Sequence, residues 1–320
     1  MTPIVAVEHL CKYFKTPRGQ LHAVEDLSFA IEEKTTLGVV GESGCGKSTL
    51  GRTVMGLHES TAGVLRFEGE DVTRPNKAQK KNMHRQIQMI FQDPYSSLDP
   101  RMCVSDLIAE PMKAMGLCRD KTERERRVAE LMDTVGLSRR FAFSYPHELD
   151  GGRRQRIGIA RALSVDPKFI VCDEPVSGLD VSIQAQILNL LQDLQDQRGL
   201  TYMFITHNLS VVKHISHSIL VMYLGCEVEM CPSKELFKNP LHPYTKGLLS
   251  AIPIPSIHVQ REEIIMKGEV TSPINPKPGC RFASRCPYAE ARCHESLPAV
   301  EEILPGHLCA CHRVREINGL

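Results

Sequence analysis

Thr36-Leu37-Gly38-Val39-Val40-Gly41-Glu42-Ser43-Gly44-Cys45-Gly46-Lys47-Ser48-Thr49-Leu50 changes character twice within fifteen residues. The apolar run Leu37 to Val40 predicts a buried strand, glycines 41, 44 and 46 predict a tight loop, and a helix-compatible run starts at Lys47. This is the phosphate-binding pattern G-x-x-x-x-G-K-[ST]. Glycine is required because the backbone must curl until its N–H groups point inward, through dihedrals that a Cβ penalises. The helix behind the loop aims its positive N-terminal end at the same anion. Lys47 can reach β- and γ-phosphates, the Ser48 hydroxyl can ligate Mg²⁺, and Thr49 can donate to a further phosphate oxygen. A glycine-rich turn with no ligand is the plain alternative, but four specified positions coincide by chance in roughly one chain in a hundred of this length.

Composition bounds what this loop can serve. With 320 residues and 42% hydrophobic content, the chain can bury a large domain and carry an appendage. A net charge of +1, from 39 basic and 38 acidic residues, argues against a nucleic-acid binder that neutralises many phosphates. No stretch approaches the roughly 20 apolar residues of a membrane span, and the start MTPIVAVEHL lacks the order of a signal peptide. A cytoplasmic chain is expected, so the twelve cysteines should stay reduced or bind metal.

Upstream of the loop, Ile4 to Val7 and Leu27 to Ile31 alternate apolar and polar around a turn at Pro17-Arg18-Gly19, which predicts an antiparallel sheet. Tyr13 or Phe14 there offers a face for stacking on a nucleobase, although a core aromatic explains either as well. Downstream, a charged stretch from Asp71 to Arg85 leads to a buried-strand candidate, Ile87 to Phe91, and then a polar loop, Gln92 to Pro100. Helical periodicity follows from about Met102 to Val135, with Lys121 to Arg127 read as a solvated face. In Leu149-Asp150-Gly151-Gly152-Arg153, Asp150 has the chemistry of a helix N-cap. Phe169 to Cys172 predicts a buried parallel strand ending in Asp173-Glu174, at the sheet edge where ligands of open α/β folds bind. There Asp173 can hold Mg²⁺ through water and Glu174 can polarise an attacking water. Tyr202 to Ile205 delivers His207 in the same way, where a neutral imidazole can sense a γ-phosphate.

These pieces in this order resemble the nucleotide-binding subunit of ATP-binding cassette transporters over residues 1 to about 250. The resemblance implies an α/β P-loop NTPase (RecA-like) core with an antiparallel β subdomain and a helical signature subdomain at about 96–160. Gly41 to Thr49, including Ser43, Gly44, Cys45, Gly46, Lys47 and Ser48, would be the Walker A loop, and Asp173 the Walker B aspartate. Glu174 would be the catalytic base, His207 the switch histidine, and Gln92 the glutamine that joins Ser48 and Asp173 around Mg²⁺. Lys47 would serve both binding and catalysis, and Phe14, with Tyr13 second, would stack on the base.

Phe91 to Pro100 and Asn239-Pro240-Leu241-His242-Pro243-Tyr244-Thr245-Lys246 narrow the likeness to dipeptide and oligopeptide importer ATPases. That likeness implies an ATP hydrolase on the cytoplasmic face of the membrane. Its partners would be a second ATPase subunit, two transmembrane permease subunits and, indirectly, an extracytoplasmic substrate-binding protein. The rival is a soluble regulatory ATPase of the same superfamily with a redox- or metal-sensing cluster, and a third reading is a hydrolysis-poor partner within the importer. The signature departs from the family's Leu-Ser-Gly-Gly-Gln at Asp150 and Arg153, which points to a heterodimer of unequal sites.

The remaining stretch, 251–320, is expected to be an irregular, proline-rich extension in which Cys280, Cys286, Cys293, Cys309 and Cys311 crowd together. Their spacings miss the C-x₂₋₄-C of structural zinc, while His294, His307 and His312 keep zinc open and four thiolates also suit a [4Fe–4S] cluster. The family's cysteine-rich tail, whose last cysteine precedes a histidine, implies Cys280, Cys286, Cys293 and Cys311 as iron–sulfur ligands, with Cys309 as substitute.

Overall fold

Every residue of Thr36–Val40 is buried, and the chain forms two compact units. A computed structural model describes residues 3–252, 266, 268 and 271–320. The start of the expected C-terminal extension, 253–265 with 267, 269 and 270, lies outside the described residues. Unit 1 comprises 1–31, 36–74 and 205–320; unit 2 comprises 32–35 and 75–204.

In chain order, β1 (Val5–Thr16), β2 (Gly19–Ile31), β3 (Thr36–Val40), α1 (Lys47–Val54), β4 (Ala62–Phe67) and β5 (Glu70–Asp71) come first. Next are α2 (Lys77–Gln86), β6 (Ile87–Ile90), α3 (Pro94–Ser97), α4 (Val104–Met115), α5 (Lys121–Thr134), α6 (Gly151–Leu163) and β7 (Phe169–Asp173). They are followed by α7 (Val181–Arg198), β8 (Thr201–Thr206), α8 (Leu209–Ile215), β9 (Ser218–Tyr223) and β10 (Cys226–Pro232). Last are α9 (Ser233–Lys238), α10 (Pro243–Ser250), α11 (Ala291–Glu295), β11 (Glu301–Leu304), β12 (His307–Cys309) and α12 (Val314–Asn318).

Unit 1 holds two sheets. The antiparallel one runs β2-β1-β4-β5, with Val7 opposite Phe29 and Val5 opposite Phe67. Its hairpin turns where Pro17-Arg18-Gly19 predicts, but its strands are far longer than the two apolar runs, because the β1–β2 ladder continues through mixed residues as far as Thr16 opposite Gly19. In the second sheet β3 pairs parallel to β9, β9 antiparallel to β10, β10 to β12 and β12 to β11. The last two strands belong to the cysteine-rich tail. Where irregular chain is expected, the tail supplies a hairpin that places Cys309 opposite Glu229. Leu241, Ile303, Cys309 and Val314 form a small apolar cluster there, and Phe282 enters the main core with Tyr223 and Tyr244.

In unit 2, β6 and β7 pair in parallel, Met89 opposite Val171, and β8 follows on the other side of β7. Both faces of β7 are covered, so its sequence is uniformly apolar up to Asp173. Helices α4, α5 and α6 pack through Ile108, Met112, Leu131 and Ile157, all buried. The loop expected from Gln92 to Pro100 contains one short helix, α3, whose cap is Asp93: its carboxylate accepts the Tyr95 N–H at 2.8 Å. Among the described residues no helix is long and apolar enough to cross a membrane.

Candidate functional site

The phosphate loop lies between β3 and α1 of unit 1. Gly46 takes φ +104°, and a Cβ there would stand 2.0 Å from the Ala23 carbonyl; at Gly41 one would stand 2.2 Å from the Met222 carbonyl. These two positions therefore need glycine for space as well as for dihedral freedom. Lys47 is buried and folds over its own loop, donating from Nζ to the carbonyls of Gly41 and Glu42, both at 2.8 Å. Cys45 packs beneath it, and burial pushes its thiol up while the Lys47 ammonium pulls it partly back. Ser48 and Thr49 open the helix, half-buried, while Ser43 and Gly44 are exposed at the loop's tip. Loop and helix start together present converging backbone N–H groups and one cation, a receptor for an anion.

The two candidate aromatics sit differently. Tyr13 stacks on His22 with ring centres 4.1 Å apart and donates its hydroxyl to Glu25 at 2.6 Å, so one of its faces is taken. Phe14 touches His58 edge-on at 5.4 Å, with the Lys12 ammonium 4.7 Å from its ring centre. His207, one residue past β8, is exposed.

Unit 2 brings together a second set. Asp173 closes β7 and is 2% exposed. Glu174 follows with φ 47°, the left-handed region that a residue with a Cβ adopts at a cost of order 1–3 kcal/mol, which surrounding structure must offset. That turn separates the two carboxylates, keeping Asp173 in the sheet and swinging Glu174 outward, where Gln92 Nε2 donates to its Oε2 at 3.2 Å. Two residues 82 positions apart thus meet because β6 and β7 end side by side.

Asp150 is the N-cap of α6: its Oδ1 accepts the Arg153 N–H at 2.8 Å, and its Oδ2 lies 2.8 Å from Arg153 Nη1. The two departures from the family signature therefore form one ion pair at the start of one helix. The next residue, Arg154, donates Nε to the Pro146 carbonyl at 2.6 Å and also binds the Leu149 carbonyl, fixing the loop before the helix.

Four cysteines of the tail, Cys280, Cys286, Cys293 and Cys311, line one small cavity of about 20 Å³, with His242 and His312 also in its wall. Burial pushes the Cys280 thiol up to about 12, and the three neighbouring thiols push the same way. The donor set is soft and thiol-dominated, which suits iron–sulfur or zinc. Among the described residues no three of these thiols lie within 4.8 Å of one another, the closeness that one shared ion needs. Cys309 is not at this cavity, because the hairpin carries it to Glu229. Nor is His307, whose Nε2 lies 2.7 Å from Glu229 Oε1. Cys309, the expected substitute ligand, and His307, one of the histidines that kept zinc open, therefore lie off this cavity. Glu229, Cys231 and His307 form a buried cluster of their own, but Glu229 already accepts the N–H groups of Leu241 at 2.7 Å and His242 at 3.0 Å. That carboxylate is a buried hub for the turn before α10.

One surface escapes sequence reading. In unit 2 a groove of about 390 Å³ runs between α4 and α5, floored by Ala109, Val128 and Met132 and rimmed by Lys113, Arg124 and the exposed Phe143. Its residues read in the sequence only as helical periodicity with a charged face.

Two family models match the chain: "ABC transporter" over residues 24–177, and "Oligopeptide/dipeptide transporter, C-terminal region" over 228–293. The putative oligopeptide transport ATP-binding protein YkfD of Bacillus subtilis is 50% identical over 98% of this chain and 96% of its own length. The oligopeptide transport ATP-binding protein OppF of the same organism is 56% identical over 82% of this chain and 87% of its own. Among solved structures, a dimeric post-hydrolysis state of the ATP-binding cassette MJ0796 bound to ADP and Pi matches with a TM-score of 0.64 and 26% identity. It covers 69% of this chain and 95% of that one.

Proposed function

The chain belongs to the ATP-binding cassette transporter family, in its dipeptide and oligopeptide importer group, and from that membership we propose that it is the ATP-hydrolysing subunit of an importer for peptides or related small solutes. The observation that carries the chemistry is Glu174, turned out of the sheet beside Asp173 and held by Gln92. A carboxylate so oriented accepts a proton from water attacking the γ-phosphate in line, while Lys47 and the loop amides take the charge that develops on the phosphoryl oxygens. Ser48, Asp173 and Gln92 would hold Mg²⁺, which supplies electrostatic neutralisation of the phosphates. Phe14, by its spacing from Lys12, with Tyr13 second, would stack on the base. His207 would contact the γ-phosphate. Glu174→Gln should bind Mg·ATP with ordinary affinity and hydrolyse it on the order of 10² to 10⁴ times more slowly; ordinary turnover in that variant would move the base elsewhere.

The transmembrane permease subunits would dock on the α4–α5 groove, whose apolar floor and charged rim suit an amphipathic segment lying on the membrane's cytoplasmic side. Membrane attachment would be peripheral. A second ATPase subunit would complete each nucleotide site with its own signature, and the Asp150–Arg153 pair favours a partner that is a different chain. The working boundary between ATPase domain and extension stays at residue 250, although the second family match begins earlier, at 228. Within the extension Cys280, Cys286, Cys293 and Cys311 would hold a [4Fe–4S] cluster, with zinc as the alternative; four thiols on one cavity support either.

A further inference from the structure

Glu42, the first residue after the leading glycine of the phosphate loop, is gripped at four atoms. Its backbone N–H donates to the Tyr244 hydroxyl at 2.9 Å, and its carbonyl accepts from Lys47 Nζ at 2.8 Å. Its carboxylate accepts Arg285 Nη1 at both oxygens, at 3.0 and 2.8 Å. The Arg285 side chain is 9% exposed and that of Glu42 25%, so the pair is largely shielded from solvent. The Glu42 carboxylate, followed by the Tyr223 hydroxyl at 3.4 Å, holds the Arg285 guanidinium above its already high ordinary value.

Both Tyr244 and Arg285 lie beyond the nucleotide-binding motifs. Tyr244 comes from the Asn239 to Lys246 stretch, and Arg285 is the residue immediately before Cys286. The turn that carries Arg285 is built on Phe282, whose carbonyl accepts the N–H groups of Arg285 and Cys286, both at 3.0 Å. Its ring packs on Tyr223 at 5.2 Å and on Tyr244 at 5.4 Å. One turn therefore sets two directions at once: Cys286 toward the thiol-lined cavity and Arg285 toward the phosphate loop.

We propose that Arg285 is a positioning residue of the nucleotide site, and that through it whatever the four cysteines hold tunes how tightly the phosphate loop binds nucleotide. The loop binds phosphate with backbone amides, so its affinity depends on how much of its curl is set before the ligand arrives. Glu42 fixes that curl by its own peptide, and Arg285 with Tyr244 fixes Glu42. A ligand bridging Cys280, Cys286, Cys293 and Cys311 locks the 280–286 turn and keeps the guanidinium aligned; losing it frees the turn. The second half of the proposal rests on the reading of these cysteines as ligands, and the first half does not.

The test is calorimetric binding of Mg²⁺ with a non-hydrolysable ATP analogue (the imido-linked β,γ form) to the full chain purified without oxygen. Iron and zinc are measured on the same samples. Arg285→Met should weaken binding about fivefold or more at unchanged metal content, Arg285→Lys should recover part of the loss, and Glu42→Gln should not add to Arg285→Met. Chelator-stripped wild type should bind as weakly as Arg285→Met, while stripping Arg285→Met should change little. Unaltered affinity in Arg285→Met, or full additivity with Glu42→Gln, overturns the positioning role. Equal losses on stripping both proteins overturn the coupling to the cysteine ligand. Metal-free wild type that binds nucleotide normally as isolated overturns the cysteine reading alone, since the Arg285–Glu42 cycle stands apart from it.

Discussion

Glu227 is a carboxylate on β10 with an unpartnered oxygen, 4% exposed, in the wall of a cavity of about 100 Å³ that also touches Glu25, Cys280 and Arg281. Burial raises its pKa from 4.5 to about 7. A raised carboxyl means that the folded chain prefers the proton. Below pH 4.5 both folded and unfolded states are protonated and nothing is lost. Between pH 4.5 and 7 the unfolded state ionises first, so stability falls as pH rises, levelling off above 7 at a cost on the order of 3 kcal/mol. Melting curves should therefore show Glu227→Gln more stable than wild type at pH 8 and no more stable at pH 4.5; a gap independent of pH would mean that the carboxyl titrates normally. The contrast with Asp173 is instructive. It is equally buried, but it ends a strand beside the turn that carries the proposed base, whereas Glu227 lies within β10.

At the scale of an element, α6 is where this chain departs from its family. Asp caps a helix as well as Ser does, and the Asp150 side chain does cap, so the substitution leaves the fold intact. What changes is charge. A second ATPase subunit would bring a γ-phosphate toward this helix start, and a carboxylate about 4 Å from it costs on the order of 4 kcal/mol at an effective dielectric near 20. Arg153, 2.8 Å from Asp150 and stacked 4.9 Å from the Phe141 ring, offsets part of that cost. Hydrolysis measured on the assembled pair of subunits should rise at the partner's site in Asp150→Ser. It should fall below that of the unaltered pair in Arg153→Gln, which leaves the carboxylate without its cation. An active ATP-dependent homodimer of this chain, or no response to Asp150→Ser, would remove the case for unequal sites.

For the whole molecule, the cysteine-rich tail is built into the sheet that carries the phosphate loop: β12 pairs with β10, β10 with β9, and β9 with β3. If Cys280, Cys286, Cys293 and Cys311 hold the proposed cluster, protein purified without oxygen should be brown with about four irons per chain, and Cys286→Ser should lose the colour. Stoichiometric zinc without iron would replace the cluster with a single ion. While the choice of four among the five crowded cysteines came from the family resemblance, local chemistry was legible in the sequence: the loop, its strand and helix, the Asp150 cap and the buried β7 all follow from residue types at short spacing. Each is a property of consecutive residues, where glycine dihedrals, apolar runs and capping groups act within a few positions. Which distant residues meet was not legible. Gln92 reaches Glu174 only because two strands end together, and Cys309 misses the four-thiol cavity only because its hairpin pairs with β10. Arg285 finds Glu42 only because one aromatic turn joins the tail to the core. Sequence spacing carries no record of contacts across 80 to 240 residues, and these were decided by the packing that closes the chain on itself.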